Sequence, residues 1–141
     1  MASFSTIMLS IHPVYSEKIF QQEKKIEFRK RIIPNNVKRI LVYSTAPDRK
    51  IVGFFEVRKI VHESPYWLWN EYSESGGIEK EKFFSYFSNN DLGYGILIGK
   101  TYRFSNPVMI SSLKFKAPQF FRYVGESEFS DICSMGIALL N

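Results

Sequence analysis

"KIVGFFEVRKIV", Lys50 to Val61, is a long β-strand pattern with a glycine inside it. Valine, isoleucine and phenylalanine on both parities suit an extended, largely buried chain. A strand of this length bends in a small domain, and Gly53 supplies the bulge or bend that small barrels need. "RILVYST", Arg39 to Thr45, is also apolar on both parities and reads as a buried central strand. "LGYGILIGKTYRF", Leu92 to Phe104, reads as two strands joined by a tight turn near Gly99-Lys100. Near the start, Ile7, Leu9 and Ile11 alternate with Met8, Ser10 and His12 as a first strand.

Helical signals fall between these strands. Pro13 suits a first helical turn, and Tyr15, Ile19 and Phe20 make an apolar stripe from Val14 to Gln22, with Glu17 and Lys18 toward water. Ser64-Pro65 reads as an N-cap followed by proline, opening a helix whose Leu68, Trp69 and Tyr72 face a core. Tyr66 and Trp67 lie off that stripe. Gly76-Gly77 breaks the chain, and "IEKEKFFSYFSNN" makes a second short helix with Phe83, Phe84 and Phe87 inward. After Pro107 to Ile110 a loop leads to "APQFFRYV". A final amphipathic helix is expected from Glu128 to Leu140, with Phe129, Ile132, Cys133, Gly136, Ile137 and Leu140 on one side. No repeat or long linker divides the 141 residues. The expectation is one α+β domain whose strands curl into a small mixed β-barrel ringed by helices, with a C-terminal helix.

Composition narrows the function classes. Hydrophobic content of 45% with 13 Phe argues for a packed core. No run of about 18 apolar residues occurs, so a membrane-spanning helix is not expected. "MASFSTIMLSIHP" lacks a charged start and a long apolar stretch, so a secretory leader is not expected either. The single cysteine, Cys133, has no internal partner, and no CxxC or Cys/His pattern exists. A reducing, cytoplasmic setting without metal or cofactor is the expectation, with Cys133 buried on its helix stripe. Net charge is +5 and unevenly spread: residues 1–50 hold ten Lys/Arg against four Asp/Glu, and the remainder nine against ten. That asymmetry suits a polyanion-facing surface.

"EKKIEFRKR", Glu23 to Arg31, sits at the centre of the basic third. On a strand, Ile26, Phe28 and Ile32 share one parity, while Lys25, Glu27, Arg29 and Arg31 share the other. Lys24 stands at the junction before the strand. A lysine in a partly closed cleft can have a lowered pKa and act as base or nucleophile. Arg29 and Arg31 have the fork geometry for phosphate, whereas Lys30 has the opposite parity. Ser10 and His12 share a face of the first strand, and His12, placed before a helix, suits a local hydrogen bond. Trp67 is a candidate for stacking on a base, while Trp69 suits the core. These spacings make no Ser/His/Asp triad, and His62 has no visible partner.

"SIHPVYSEKIFQQEKKIEFRKR", Ser10 to Arg31, resembles the N-terminal signature of ASCH domains in the PUA-like superfamily: Ser-Ile-x-Pro, a helix, then Gly-x-Lys-x-x-Glu-x-Arg. "VGFFEV", "SPYWLWNEY", "GYGILIG" and "APQFFRYV" resemble a subgroup whose domain ends in Pro-Gln-x-Phe-Arg-Tyr. The resemblance covers residues 7–124 as an ASCH/PUA-like core and leaves 125–141 as a C-terminal helical extension. It implies a barrel with a cleft beside the first helix and the charged strand that follows. It also implies that Lys24 matches the lysine required by family members that hydrolyse N4-acetylcytidine. Glu27 stands where those hydrolases carry a threonine. A carboxylate can serve as general acid/base or accept hydrogen bonds from an amino-bearing base edge, but it does not repeat a hydroxyl nucleophile. The motif also suggests that Arg122 and Tyr123 close the cleft. The expected function is an RNA- or modified-nucleoside-binding module using a basic cleft, with regulation as one use of it. The candidate contacts are Ser10, His12, Lys24, Lys25, Glu27, Arg29, Arg31, Trp67, Arg122 and Tyr123. The second reading is a hydrolase on a nucleic-acid-derived substrate, an acetylcytidine amidohydrolase or a ribonuclease, with Lys24 and Glu27 catalytic. The terminal helix is also a candidate docking face for a protein partner.

Overall fold

The computed structural model describes residues 6–114 and 116–140. In chain order its elements are β1 (Thr6–Ile11), α1 (Pro13–Phe20), β2 (Ile26–Arg29), β3 (Arg39–Ser44), β4 (Lys50–Glu63), α2 (Pro65–Tyr72), α3 (Lys80–Tyr86), β5 (Gly93–Met109), a 3-10 turn (Ile110–Ser112), β6 (Phe121–Val124), α4 (Glu126–Gly136) and β7 (Ala138–Leu140). One mixed sheet runs β2-β5-β4-β3-β1-β6, with β7 on β5. β1 and β3 are parallel and every other pair is antiparallel. The strands curl strongly but end as a half-barrel, with β2 and β6 at the two ends of the path.

The curl has a local cause. Gly53 sits at register shifts on both sides of β4. A Cβ there would run into the Tyr102 carbonyl and would lie 2.7 Å from the Phe20 ring. Farther along, β5 does not turn back at Gly99-Lys100 as the sequence suggested; it is one 17-residue strand. Thr101 pairs with Phe55 and Ile98 with Val57, so Gly99 and Lys100 together face the single residue Glu56. Glycine and a polar residue in a β pattern mark a bulge as readily as a turn. Here the chain stays extended and is bent. Pro107 also lies within β5, which ends at Met109.

Strand parity distributes the core. Ile7, Leu9 and Ile11 pack with Ile19 and Phe20 of α1, while Met8, on the other face, packs with Phe129 and Ile132 of α4. On β2, Ile26 and Phe28 join Leu68, Phe83 and Phe87 of the two-helix insertion. Ser64 caps α2 as expected, its side chain accepting from the Trp67 amide. The C-terminal helix is shorter than its apolar stripe implied. It stops at Gly136, Ile137 takes a left-handed φ of 54°, and the last residues pair with β5 as a strand. The docking face read from that stripe is largely occupied: Phe129 and Ile132 are buried, whereas Ile137 and Leu140 are exposed outside the helix. No helix of the described residues is long and apolar enough to cross a membrane.

Candidate functional site

The site begins where α1 ends. Gln21 and Gln22 close the helix, and Gln22 adopts a left-handed φ of 63°. The amides of Glu23 and Lys24 both return to the Lys18 carbonyl, at 3.0 and 3.1 Å. This tight reversal satisfies a terminal carbonyl and sends Lys24 inward rather than along the helix axis. The side chain is only 3% exposed. Its ammonium donates to the Gly76 carbonyl at 2.5 Å and lies 5.2 Å from the Tyr15 and Phe28 ring centres.

Gly76 and Gly77 let the insertion loop close over this lysine. A Cβ on Gly76 would come within 2.8 Å of Phe28, and one on Gly77 within 2.9 Å of the Lys24 Cβ. Gly77 also has a φ of +63°, a left-handed conformation open to glycine at little cost. The Lys18 ammonium donates to the Gly77 carbonyl at 3.1 Å and ties the loop to α1.

β2 supplies the other two charges. Glu27 lies opposite Ile96 and Arg29 opposite Tyr94 on β5, with both side chains on one face of the strand. The Glu27 carboxylate is held between two cations: Oε1 is 3.6 Å from the Lys24 ammonium, and Oε2 accepts from Arg29 Nη1 at 3.1 Å. Arg29 Nη1 also donates to the Ser10 carbonyl at 3.2 Å, and the guanidinium lies 5.1 Å from the Phe120 ring centre. Its Nε is enclosed without a hydrogen-bond partner. The group thus carries two cations and one carboxylate away from bulk water. Burial pushes the Lys24 ammonium below its ordinary value of 10.5; attraction to Glu27 opposes this, while repulsion from Lys18 and Arg29 adds to it.

A cavity of about 200 Å³ opens onto this group, lined by His12, Tyr15, Phe28 and Tyr86 beside the three charged side chains. It is smaller than the ~300–1,000 Å³ typical of drug-sized ligands and suits one base or one phosphate. His12 Nδ1 accepts from the Val14 amide at 3.3 Å and caps α1, so the expected local role coexists with a place at the rim. Tyr86 accepts from the Lys30 amide at 3.1 Å, and burial raises its phenol pKa.

The structure therefore gathers His12, Lys24, Glu27 and Arg29 from the sequence candidates. Ser10 contributes through its carbonyl, its hydroxyl being turned to the Pro118 carbonyl at 2.6 Å. The expected face of four charges is cut to two, because β2 covers only Ile26–Arg29 and Glu27 and Arg29 are not solvated. Lys25 lies before the strand, and Arg31, beyond it, is exposed near the Phe120 ring. Trp67 sits on α2 with its ring against Tyr72 and does not line the cavity. Arg122 and Tyr123 do not close it either: Arg122 is 3.6 Å from Glu128 of α4, and Tyr123 packs edge-on to Phe121. Tyr15, Tyr86 and the Gly76-Gly77 lid escaped the sequence reading. The glycine pair was visible as a chain break but carried no sign of what it covers. Among the described residues no group of three or more His, Cys, Asp or Glu is placed to hold a metal ion.

The curled mixed sheet with the four helices of the described residues, the last at the C-terminal end, is an ASCH-type, PUA-like α+β fold. Solved structures agree. The ASCH protein of Zymomonas mobilis superposes with a TM-score of 0.85 at 22% identity, over 93% of this chain and 95% of that one. A serine-to-alanine variant of it reaches 0.87 over 98% and 99%. The N-terminal domain of Staphylothermus marinus McrB follows at 0.63 with 11% identity. In sequence, the ASCH domain-containing ribonuclease of Zymomonas mobilis is 25% identical over 134 residues, 91% of this chain and 90% of that protein. In fold this chain is similar to the ASCH proteins. No protein-family model matches it. Large ribosomal subunit protein uL22 and ATP synthase subunit alpha of Ureaplasma parvum serovar 3 are 31% and 33% identical over 121 residues, 84% of this chain. The chain spans only 39% and 15% of their lengths.

Proposed function

We propose that this ASCH-type domain is an RNA-binding module that takes one base or one phosphate of a single strand into the Lys24–Glu27–Arg29 cavity. The observation that carries the reading is the buried excess of positive charge. Two cations share one carboxylate in a water-poor site, and a phosphate entering the cavity supplies the missing negative charge. Tyr15, half-buried in the cavity wall, is the aromatic side chain placed to meet a base there. Matches to part of a ribosomal protein and part of an ATP synthase subunit support reading the fold as a module carried within larger chains.

A second reading has its own support. The Zymomonas relative carries the name ribonuclease, and Lys24 is the group here whose burial favours a neutral amine. A neutral Lys24 can take the proton of a ribose 2′-hydroxyl as that oxygen bonds to the adjacent phosphorus. Arg29 then offsets the growing charge, and the 5′-oxygen departs with a proton from water. The amidohydrolase reading rests on the resemblance alone, which makes N4-acetylcytidine the control substrate.

Both readings are tested with a fluorescein-labelled single-stranded RNA in low salt. The wild type is expected to bind, and Arg29→Met to bind at least tenfold more weakly with unchanged circular dichroism. Slow cleavage that persists in chelator and disappears in Lys24→Met adds the ribonuclease reading; intact RNA leaves a binding module. No binding to several RNAs at low salt rejects both.

A further inference from the structure

A second feature lies on the other side of Lys24. An open groove of about 670 Å³ runs between the end of α1 and the bulged stretch of β4 and β5, and Lys24 lines both this groove and the cavity. Three exposed cations border it: Lys25, Arg58 and Lys100. They come from three segments that the sheet brings together. The Ile98 amide donates to the Lys25 carbonyl at 3.0 Å, which places Lys25 beside β5. Arg58 is the extra residue of β4 between the pairs Val57–Ile98 and Lys59–Leu97. Lys100, with Gly99, is the extra residue of β5 opposite Glu56. Bulges re-aim side chains, and here two of them on adjacent strands border one groove with a positive residue each. Gly99 permits the close fit, since a Cβ there would lie 3.1 Å from both the Arg58 side chain and the Glu56 carbonyl. No ion pair engages these three cations among the described residues. Glu56, the acid of the groove, is held by the Tyr102 hydroxyl at 2.9 Å.

We propose that this groove is a phosphate-backbone subsite, in which Lys25, Arg58 and Lys100 hold the sugar-phosphate chain of the RNA whose adjoining base or phosphate enters the cavity. The inference rests on the RNA-binding reading above and adds a surface to it. Exposed, unpaired cations on a groove suit a flexible polyanion, which gains from releasing counterions and needs no enclosed pocket. The cavity has room for one base or one phosphate, so a strand entering it has neighbours that must lie elsewhere, and Lys24 lines both the cavity and the groove.

The test compares wild type with the triple substitution Lys25→Gln, Arg58→Gln, Lys100→Gln. Because all three side chains are exposed, the fold is expected to persist, with an unchanged melting curve; Lys100→Gln alone serves as the milder variant. Probes are a labelled single-stranded RNA of twelve nucleotides, cytidine 5′-monophosphate and inorganic tripolyphosphate. RNA affinity is expected to fall at least tenfold in the triple variant, with the slope of log affinity against log salt smaller by about 2, while the mononucleotide binds equally well to both proteins. Wild-type RNA binding with unchanged affinity and slope in the triple variant overturns the groove and leaves the cavity reading standing. A wild type that binds no RNA overturns both. Tripolyphosphate binding that is lost in the variant while RNA binding is kept assigns the groove to a free polyphosphate and overturns the RNA assignment.

Discussion

Lys24 weakens the fold it sits in. Burial lowers its pKa below the ordinary lysine value of 10.5, so the unfolded chain holds the proton more tightly than the folded one. Its penalty is complete below the folded pKa and fades as pH rises from there toward 10.5, where both states are neutral. Lys24→Met is therefore expected to stabilise the protein at neutral pH by about 1 kcal/mol, since Arg29 still accompanies Glu27. Urea unfolding at several pH values checks this: the advantage of the variant should shrink toward pH 10, and an advantage that grows contradicts the account. Glu27→Leu does the opposite. It strands two buried cations and is expected to cost about 3 kcal/mol at neutral pH. The motif marked Lys24 and Glu27 in the sequence, and strand parity grouped Glu27 with Lys25, Arg29 and Arg31, but neither said how deeply that face is buried. Burial of that face depends on a loop some fifty residues away, with Lys24 meeting the Gly76 carbonyl across 52 positions. No local pattern carries that information.

Long apolar runs and the bend at Gly53 were readable, whereas the outcome at Gly99-Lys100 was not. The buried run of β3 and the proline-capped start of α2 match their patterns because burial and capping act within a few residues. Gly99-Lys100 resembles a hairpin turn in isolation. Whether the chain turns or bulges there is decided by its pairing with Glu56. The end of α4 lies short of its apolar stripe for a related reason: the apolar spacing continues past Gly136, but Ile137 turns left-handed and Ala138–Leu140 pair with β5, a partner distant in sequence. The lid between α2 and α3 is the element closest to function. Gly77→Ala meets both a left-handed φ and the Lys24 Cβ, so it is expected to cost about 2 kcal/mol and to lift the loop off the lysine. Chemical denaturation gives the first effect. Faster amide exchange at Lys25, which donates to the Ser75 carbonyl of that loop, gives the second.

Taken whole, the molecule is a half-barrel with a charged cavity and a basic groove on either side of one lysine. Counting charge along the chain placed the positive excess in the first third, and Lys24, Lys25 and Arg29 do come from there. Arg58 and Lys100 do not; folding adds them to the same region from segments whose own net charge is slightly negative. The most direct test of the account is an amide NMR titration of the wild-type protein with single-stranded RNA. Shifts are expected to concentrate at His12–Tyr15, Lys24–Arg29, Gly76–Ile78 and Ile98–Thr101, and to be sparse on α4. Saturable binding whose shifts fall on α4 and β6, with the Lys24–Arg29 amides unmoved, would contradict it.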